Sequence, residues 1–188
     1  MSGFRRVEER LVHQGWVWHL ASAEFEAPDG RRFERDIVRS PGAVGVVPLV
    51  FDAEGNPSVV LVQQYRPAHD DIVIEIPAGM RDVEGEDPAE VARRELVEEA
   101  GLLAGRVEFL TEIMPSPGMT DSITSIFLAT DCAPTEVDRH GPEEDFMDIL
   151  HVPLADAIEM ILDQRIADAK TVAGLLLTER RLRHADGS

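Results

Sequence analysis

The chain has 188 residues, 44% of them hydrophobic, and a formal net charge of −18, which suits one domain with a substantial core and room for a small appendage. The charge argues against nucleic acid as a partner, because phosphates reward clustered lysine and arginine; a small polyanion stays compatible if metal ions neutralise it locally. The lone Cys132 excludes an intramolecular disulfide and reads as a small structural residue, no apolar run is long enough for a membrane helix, and the start MSGFRRVEERL lacks the apolar stretch of a signal peptide, which points to the cytoplasm.

Two alternating runs, about Trp16 to Phe25 and Phe33 to Val38, flank the turn sequence Ala27-Pro28-Asp29-Gly30 and predict an antiparallel β-hairpin or small sheet over residues 1–40. Such a sheet is marginal alone and needs a neighbour to pack on. Trp16 and Trp18 share a face of the first strand, either as hairpin core or dimer contact or as a stacking platform for a base. Pro41-Gly42 then turns the chain into Ala43 to Phe51, a near-continuous apolar run expected of a strand covered on both sides. After the turn Asp52 to Pro57, Ser58 to Tyr65 reads as another strand. Ile72 to Ile76 alternates, with Glu75 expected on an exposed face where it either meets a ligand or simply meets solvent.

The stretch AGMRDVEGEDPAEVARRELVEEAGL, from Ala78 to Leu102, organises the rest. Pro77, Gly79 and Gly85 mark a loop, Asp87-Pro88 a helix N-cap and first residue, and Glu90 the second half of a capping box. The helix should run from Pro88 to about Ala100 and end at Gly101, where a left-handed residue costs a glycine nothing. Val91, Leu96 and Ala100 can face a core. Glu95, Glu98 and Glu99 fall three and four apart, so three carboxylates crowd one side and repel one another. Arg94, four residues before Glu98, can relieve one of them. A hard divalent cation with oxygen ligands at roughly 2.1 Å would satisfy two or three together; a solvated acidic face is the alternative.

Downstream, Arg106 to Ile113 reads as a strand, Met114 to Asp121 as a loop stiffened by Pro115 and Pro117, and Ser122 to Thr130 as a strand. Asp131 to Asp145 is a long acidic loop, ending Glu143-Glu144-Asp145, of the kind that is solvent-facing or carries a lid and binding residues. Met147 to Val152 returns to strand. Two helices close the chain, Leu154 to about Asp163 and Asp168 to about Arg183, the second packing through Val172, Leu175, Leu176 and Leu182. Strands around one central helix with two terminal helices describe an α/β fold, a mixed sheet between helical layers.

Arg94-Glu95-Leu96-Val97-Glu98-Glu99-Ala100-Gly101-Leu102 resembles the REUxEExGU half of the box that defines the Nudix hydrolase family. Glu86 lies eight residues before Arg94 as that box requires, whereas Gly79 stands seven before Glu86, one residue more than the pattern. The insertion falls in the loop and leaves the helix untouched. The resemblance implies a Nudix-type α/β/α sandwich over residues 41–188, beside a dimerising β appendage at 1–40. It also implies a Mg²⁺-dependent hydrolase of phosphoanhydrides, with Mn²⁺ as a substitute. Glu95, Glu98, Glu99 and the Ala78 carbonyl would hold metal, and Arg94, anchored by Glu86, would orient the glutamates.

Pro117, sixteen residues beyond Gly101, and the stretches Ser116-Pro117-Gly118 and Gln64-Tyr65-Arg66-Pro67 resemble the branch of the family that cleaves ADP-ribose and related nucleoside diphosphate sugars. The extra loop residue is similar to its actinobacterial members. That likeness implies a general base on the acidic loop, Glu144 with Glu143 as competitor, which would also serve the metal. It implies contacts to the nucleotide from Arg66, Glu75, Arg35, Gly118 and Met119, and a homodimer exchanging N-terminal hairpins, with no nucleic acid or membrane as partner. Cleavage of ADP-ribose to AMP and ribose 5-phosphate is the expected reaction. Another nucleotide substrate, or a nucleotide-sensing Nudix-like module without catalysis, are the alternatives.

Overall fold

Side chains along a strand point alternately to opposite faces, and strand β4 (Ala43–Phe51) divides its residues in this way. Val44 and Val46 join a buried cluster with Val91, Ala92 and Leu96, whereas Val47 and Leu49 join another with Leu154, Ala157, Met160 and Leu175. The same division runs through β5 (Pro57–Arg66), where Val60 faces away from Val59 and Leu61, and through β9 (Thr124–Pro134), where Phe127 and Ala129 face away from Ile126 and Leu128. A sheet buried on both faces needs apolar residues at every position, which is why these strands read as continuous apolar runs. Helix α1 (Pro88–Ala100) covers one face, and α2 (Leu154–Leu162) with α3 (Ala169–Ala185) covers the other. The computed structural model describes residues 3–138 and 145–185.

Seven strands make this sheet. Its path runs from β10 (Asp148–Pro153) through β5, β4 and β9 to β8 (Leu102–Ile113), while β6 (Asp71–Glu75) pairs with β5 and the short β7 (Ala78–Met80) pairs with β4. The β4–β9 pair is parallel and the other pairs are antiparallel, so the sheet is mixed, as expected. Among the described residues no helix is long and apolar enough to cross a membrane.

Helix α1 begins and ends where its caps place it. Asp87 is extended (φ −65°, ψ 131°) and its carboxylate accepts the Ala89 N–H at 2.8 Å. Gly101 is left-handed (φ 60°, ψ 41°), and its N–H reaches the carbonyls of Leu96 and Val97. The capping box is not completed, because Glu90 pairs with Arg93 at 3.5 Å. On α3 Thr171, Gly174, Leu175 and Thr178 are buried and Val172 and Leu182 partly buried, while Leu176, expected inside, is exposed.

The chain divides into two compact units, Met1–Gly42 with Met114–Ile123, and Ala43–Ile113 with Thr124–Ser188. The first holds a three-stranded antiparallel sheet in the order β1 (Arg5–Gln14), β2 (His19–Glu26), β3 (Arg32–Arg39). Phe25 and Phe33 stack at 5.5 Å between ring centres on this sheet, and the Arg35 guanidinium lies 4.9 Å over Phe33. The segment around Thr120 is stitched to β3: Val38 N–H donates to Met119 O at 2.9 Å and Thr120 Oγ1 donates to Val38 O at 2.7 Å. Arg39 completes the join by pairing with Glu9 and, at 2.8 Å, with Asp121. Trp16 and Trp18 are not strand residues and not hairpin core. They sit in the β1–β2 turn closed by Gly15 N–H to Trp18 O at 3.0 Å, and Trp16 is fully exposed.

Cys132 lies on β9 opposite Ala104. Burial pushes its thiol up to about 11, and the Asp131 charge adds to the effect. Since the thiolate is the reactive form, iodoacetamide at pH 8 should label the folded chain slowly and the urea-unfolded chain fast. Equal rates would show that Cys132 is not sequestered.

Candidate active site

The carboxylates of α1 are less exposed than a solvated helix face would leave them. Glu95 and Glu99 keep only 6% and 4% of their surface in contact with solvent, and the Glu98 side chain keeps 16%. Strand β7 and the loop after it close over this face. Glu99 Oε2 accepts the Ala78 N–H at 2.8 Å, and a Cβ placed on Gly79 would lie 1.9 Å from Glu95 Oε1. Only glycine leaves room for the Glu95 carboxylate at that point. The glycine seven residues before Glu86 therefore has a steric reason to be there.

Arg94 pairs with Glu95 as well as with Glu98 and Glu86. Its Nη1 lies 2.8 Å from Glu95 Oε1 and 3.1 Å from Glu98 Oε2, and its Nη2 lies 3.5 Å from Glu86 Oε2. Burial opposes the guanidinium charge, and the fields of Glu95, Glu98 and Glu86 outweigh it, so the Arg94 pKa ends above its ordinary value.

The donor chemistry of this face fits a hard divalent cation, since it offers three carboxylates on adjacent helical turns, two of them nine-tenths buried, beside the backbone of Ala78. Among the described residues, however, no three His, Cys, Asp or Glu side chains gather at metal-holding distance. Glu95 and Glu98 face Arg94, and Glu99 faces the Ala78 N–H. Glu143 and Glu144, the expected bases, lie outside the described residues.

Glu75 is where the structure departs most from expectation. It is not on an exposed face but 4% exposed at the end of β6. Arg66 grips its carboxylate through Nε, at 3.1 and 3.2 Å, and through Nη2. Lys170 Nζ lies 3.0 Å from Glu75 Oε2 and 3.1 Å from Asp168 Oδ2. Asp168 in turn accepts the Thr171 N–H at 2.9 Å and its hydroxyl at 2.6 Å, and Thr171 Oγ1 accepts the Ile76 N–H at 2.9 Å. Burial works against the Arg66 charge, and the Glu75 hydrogen bonds with the fields of Glu75, Glu99 and Asp168 more than restore it. Lys170, Asp168 and Thr171 were not singled out from sequence, although Lys170 is the only lysine in the chain.

Arg35, Gly118 and Met119 belong to the first unit, where with Phe4, Phe25 and Phe33 they line a cavity of about 460 Å³. The cavity offers aromatic surface and the Arg35 guanidinium on one wall.

The NUDIX domain model matches residues 39–183, and the chain belongs to that family. It is 34% identical over 167 residues, 89% of this chain and 88% of the other, to an ADP-ribose pyrophosphatase from Bacillus subtilis (strain 168). It is 33% identical over 182 residues, 96% of each chain, to a methanol dehydrogenase activator from Bacillus methanolicus. A solved structure, described as the crystal structure of ADP compounds hydrolase, shares the fold with a TM-score of 0.83 at 24% identity, covering 97% of this chain and 95% of that one.

Proposed function

We propose that the chain hydrolyses the pyrophosphate bond of ADP-ribose, giving AMP and ribose 5-phosphate, with Mg²⁺ as its divalent cation and Mn²⁺ as a substitute. The observation that carries this reading is the buried pair Glu95 and Glu99, set under the Ala78-Gly79 backbone of a Nudix chain; the Bacillus subtilis relative supplies the substrate class. Glu95, Glu98, Glu99 and the Ala78 carbonyl hold the cation, which neutralises charge on the phosphate oxygens when bound. Arg94 sets the rotamers of Glu95 and Glu98.

Glu144, or its neighbour Glu143, takes the proton from the attacking water, whose oxygen forms the new bond to phosphorus as the bridging P–O bond breaks. Arg66 meets the phosphates, Glu75 holds Arg66, and Arg35, Gly118 and Met119 contact the nucleotide. Residues 41–188 form the catalytic domain and residues 1–40 the appendage through which two copies pair in the cytoplasm. Trp16, fully exposed at a turn of that appendage, supports the pairing.

The test is AMP release from ADP-ribose with Mg²⁺ and after chelation, beside GDP-mannose and a dinucleoside polyphosphate. Metal-dependent AMP release with ADP-ribose preferred is expected, and a flat response to every substrate would overturn the reading. The full-length likeness to the Bacillus methanolicus relative favours one second reading, in which the chain acts on another enzyme. Glu144→Gln should lower kcat by about 10²- to 10⁴-fold, the range for a general base, with KM little changed. If Glu143→Gln does this instead, the base is the earlier residue.

A further inference from the structure

Of the eighteen lysines and arginines in the sequence, one is a lysine, and it stands in a poor place for a cation. Lys170 is the second residue of α3, where the positive end of the helix dipole disfavours positive charge. Its side chain is only 15% exposed, and its ammonium lies between two carboxylates, Glu75 and Asp168, at 3.0 and 3.1 Å. A compact ammonium with three donors can sit between two acidic groups that approach from different elements, whereas the flat fork of arginine suits one carboxylate edge-on. Arg66 holds the same Glu75 edge-on through Nε and Nη2. That leaves its Nη1 amino group unused among the described hydrogen bonds, on a side chain 35% exposed.

We propose that Lys170 is a positioning residue: it pins the Glu75 carboxylate between β6 and α3 so that Arg66 stands in one rotamer with Nη1 presented to a phosphate of the substrate. The proposal rests on the nucleotide reading above but not on turnover. Without the ammonium, Glu75 and Asp168 face each other as like charges, Glu75 swings away, and Arg66 loses its fixed direction. Lys170 touches no substrate itself.

The experiment is calorimetric titration with ADP-ribose in chelator, so that binding is read without hydrolysis, on the wild type, Lys170→Met, Arg66→Ala and the double variant. Lys170→Met should raise Kd by about tenfold, the factor for one charge-assisted hydrogen bond. The double variant should bind no worse than Arg66→Ala alone, because the lysine acts through the arginine. With Mg²⁺ added, the loss should fall on KM while kcat stays within about threefold. An unchanged Kd in Lys170→Met, losses that multiply in the double variant, or a wild type that does not bind would each overturn the proposal. A wild type that binds without hydrolysing would sink only the hydrolase reading. Should melting curves show Lys170→Met unfolded, Glu75→Gln is compared with Glu75→Gln/Lys170→Met, which removes both charges together. Equal Kd values support the role, and a weaker double variant overturns it.

Discussion

Glu99→Gln should lower kcat on ADP-ribose by about 10²- to 10³-fold, equivalent to the several kcal/mol that charge stabilisation by a held cation supplies. Glu99 is buried, yet the fold should be retained. Glu99 Oε2 accepts the Ala78 N–H at 2.8 Å, and the amide oxygen of glutamine accepts the same hydrogen bond. What the substitution removes is one negative charge from a crowded face, which costs the fold little and the cation a ligand. Circular dichroism and a melting curve alongside the rate separate the two effects. A variant with full rate, or one that no longer folds, would contradict the assignment.

Gly79→Ala should cost about 10²-fold in kcat/KM while leaving the melting temperature close to that of the wild type. The added Cβ would lie 1.9 Å from Glu95 Oε1 and 2.1 Å from its Cδ, so something must move. The obstruction is the far end of a flexible side chain, not backbone, and therefore Glu95 yields and β7 stays paired with β4. A displacement of about 1 Å in a reacting constellation can carry a loss of that size. In a Glu95→Gln background the same alanine should add little further loss. Wild-type turnover in Gly79→Ala would mean that Glu95 is not held where catalysis needs it.

The sequence was most legible where one physical cause acts locally. Both-sided burial gave β4 its limits, and Asp87, Pro88 and Gly101 gave α1 its limits through the hydrogen bonds at its ends. It was least legible where pairing depends on distant chain. Strand β1, RRVEERLVHQ, is exposed over nearly its whole length and shows no apolar alternation, because what holds it is the backbone ladder to β2 and charge pairs such as Arg5 with Glu26. Strand β7 is three residues long and contains the glycine that reads as a loop. No spacing rule links Glu75 to Lys170, and only the folded chain shows that the odd lysine and the buried glutamate explain each other. The crowding on α1 was visible in the spacing of its glutamates; its burial under β7 was not.

The segment Met114–Ile123 interrupts the larger unit between β8 and β9, yet it counts with the smaller one. Trimming the gene after codon 42 would therefore not yield a tidy catalytic fragment. It would deprive Met119 and Thr120 of Val38 and Asp121 of Arg39, leaving a frayed insert between two strands of the main sheet. The chain leaves the smaller unit, returns to it once and leaves again, so neither unit is a continuous stretch of the gene and expression of either stretch alone forfeits part of the other.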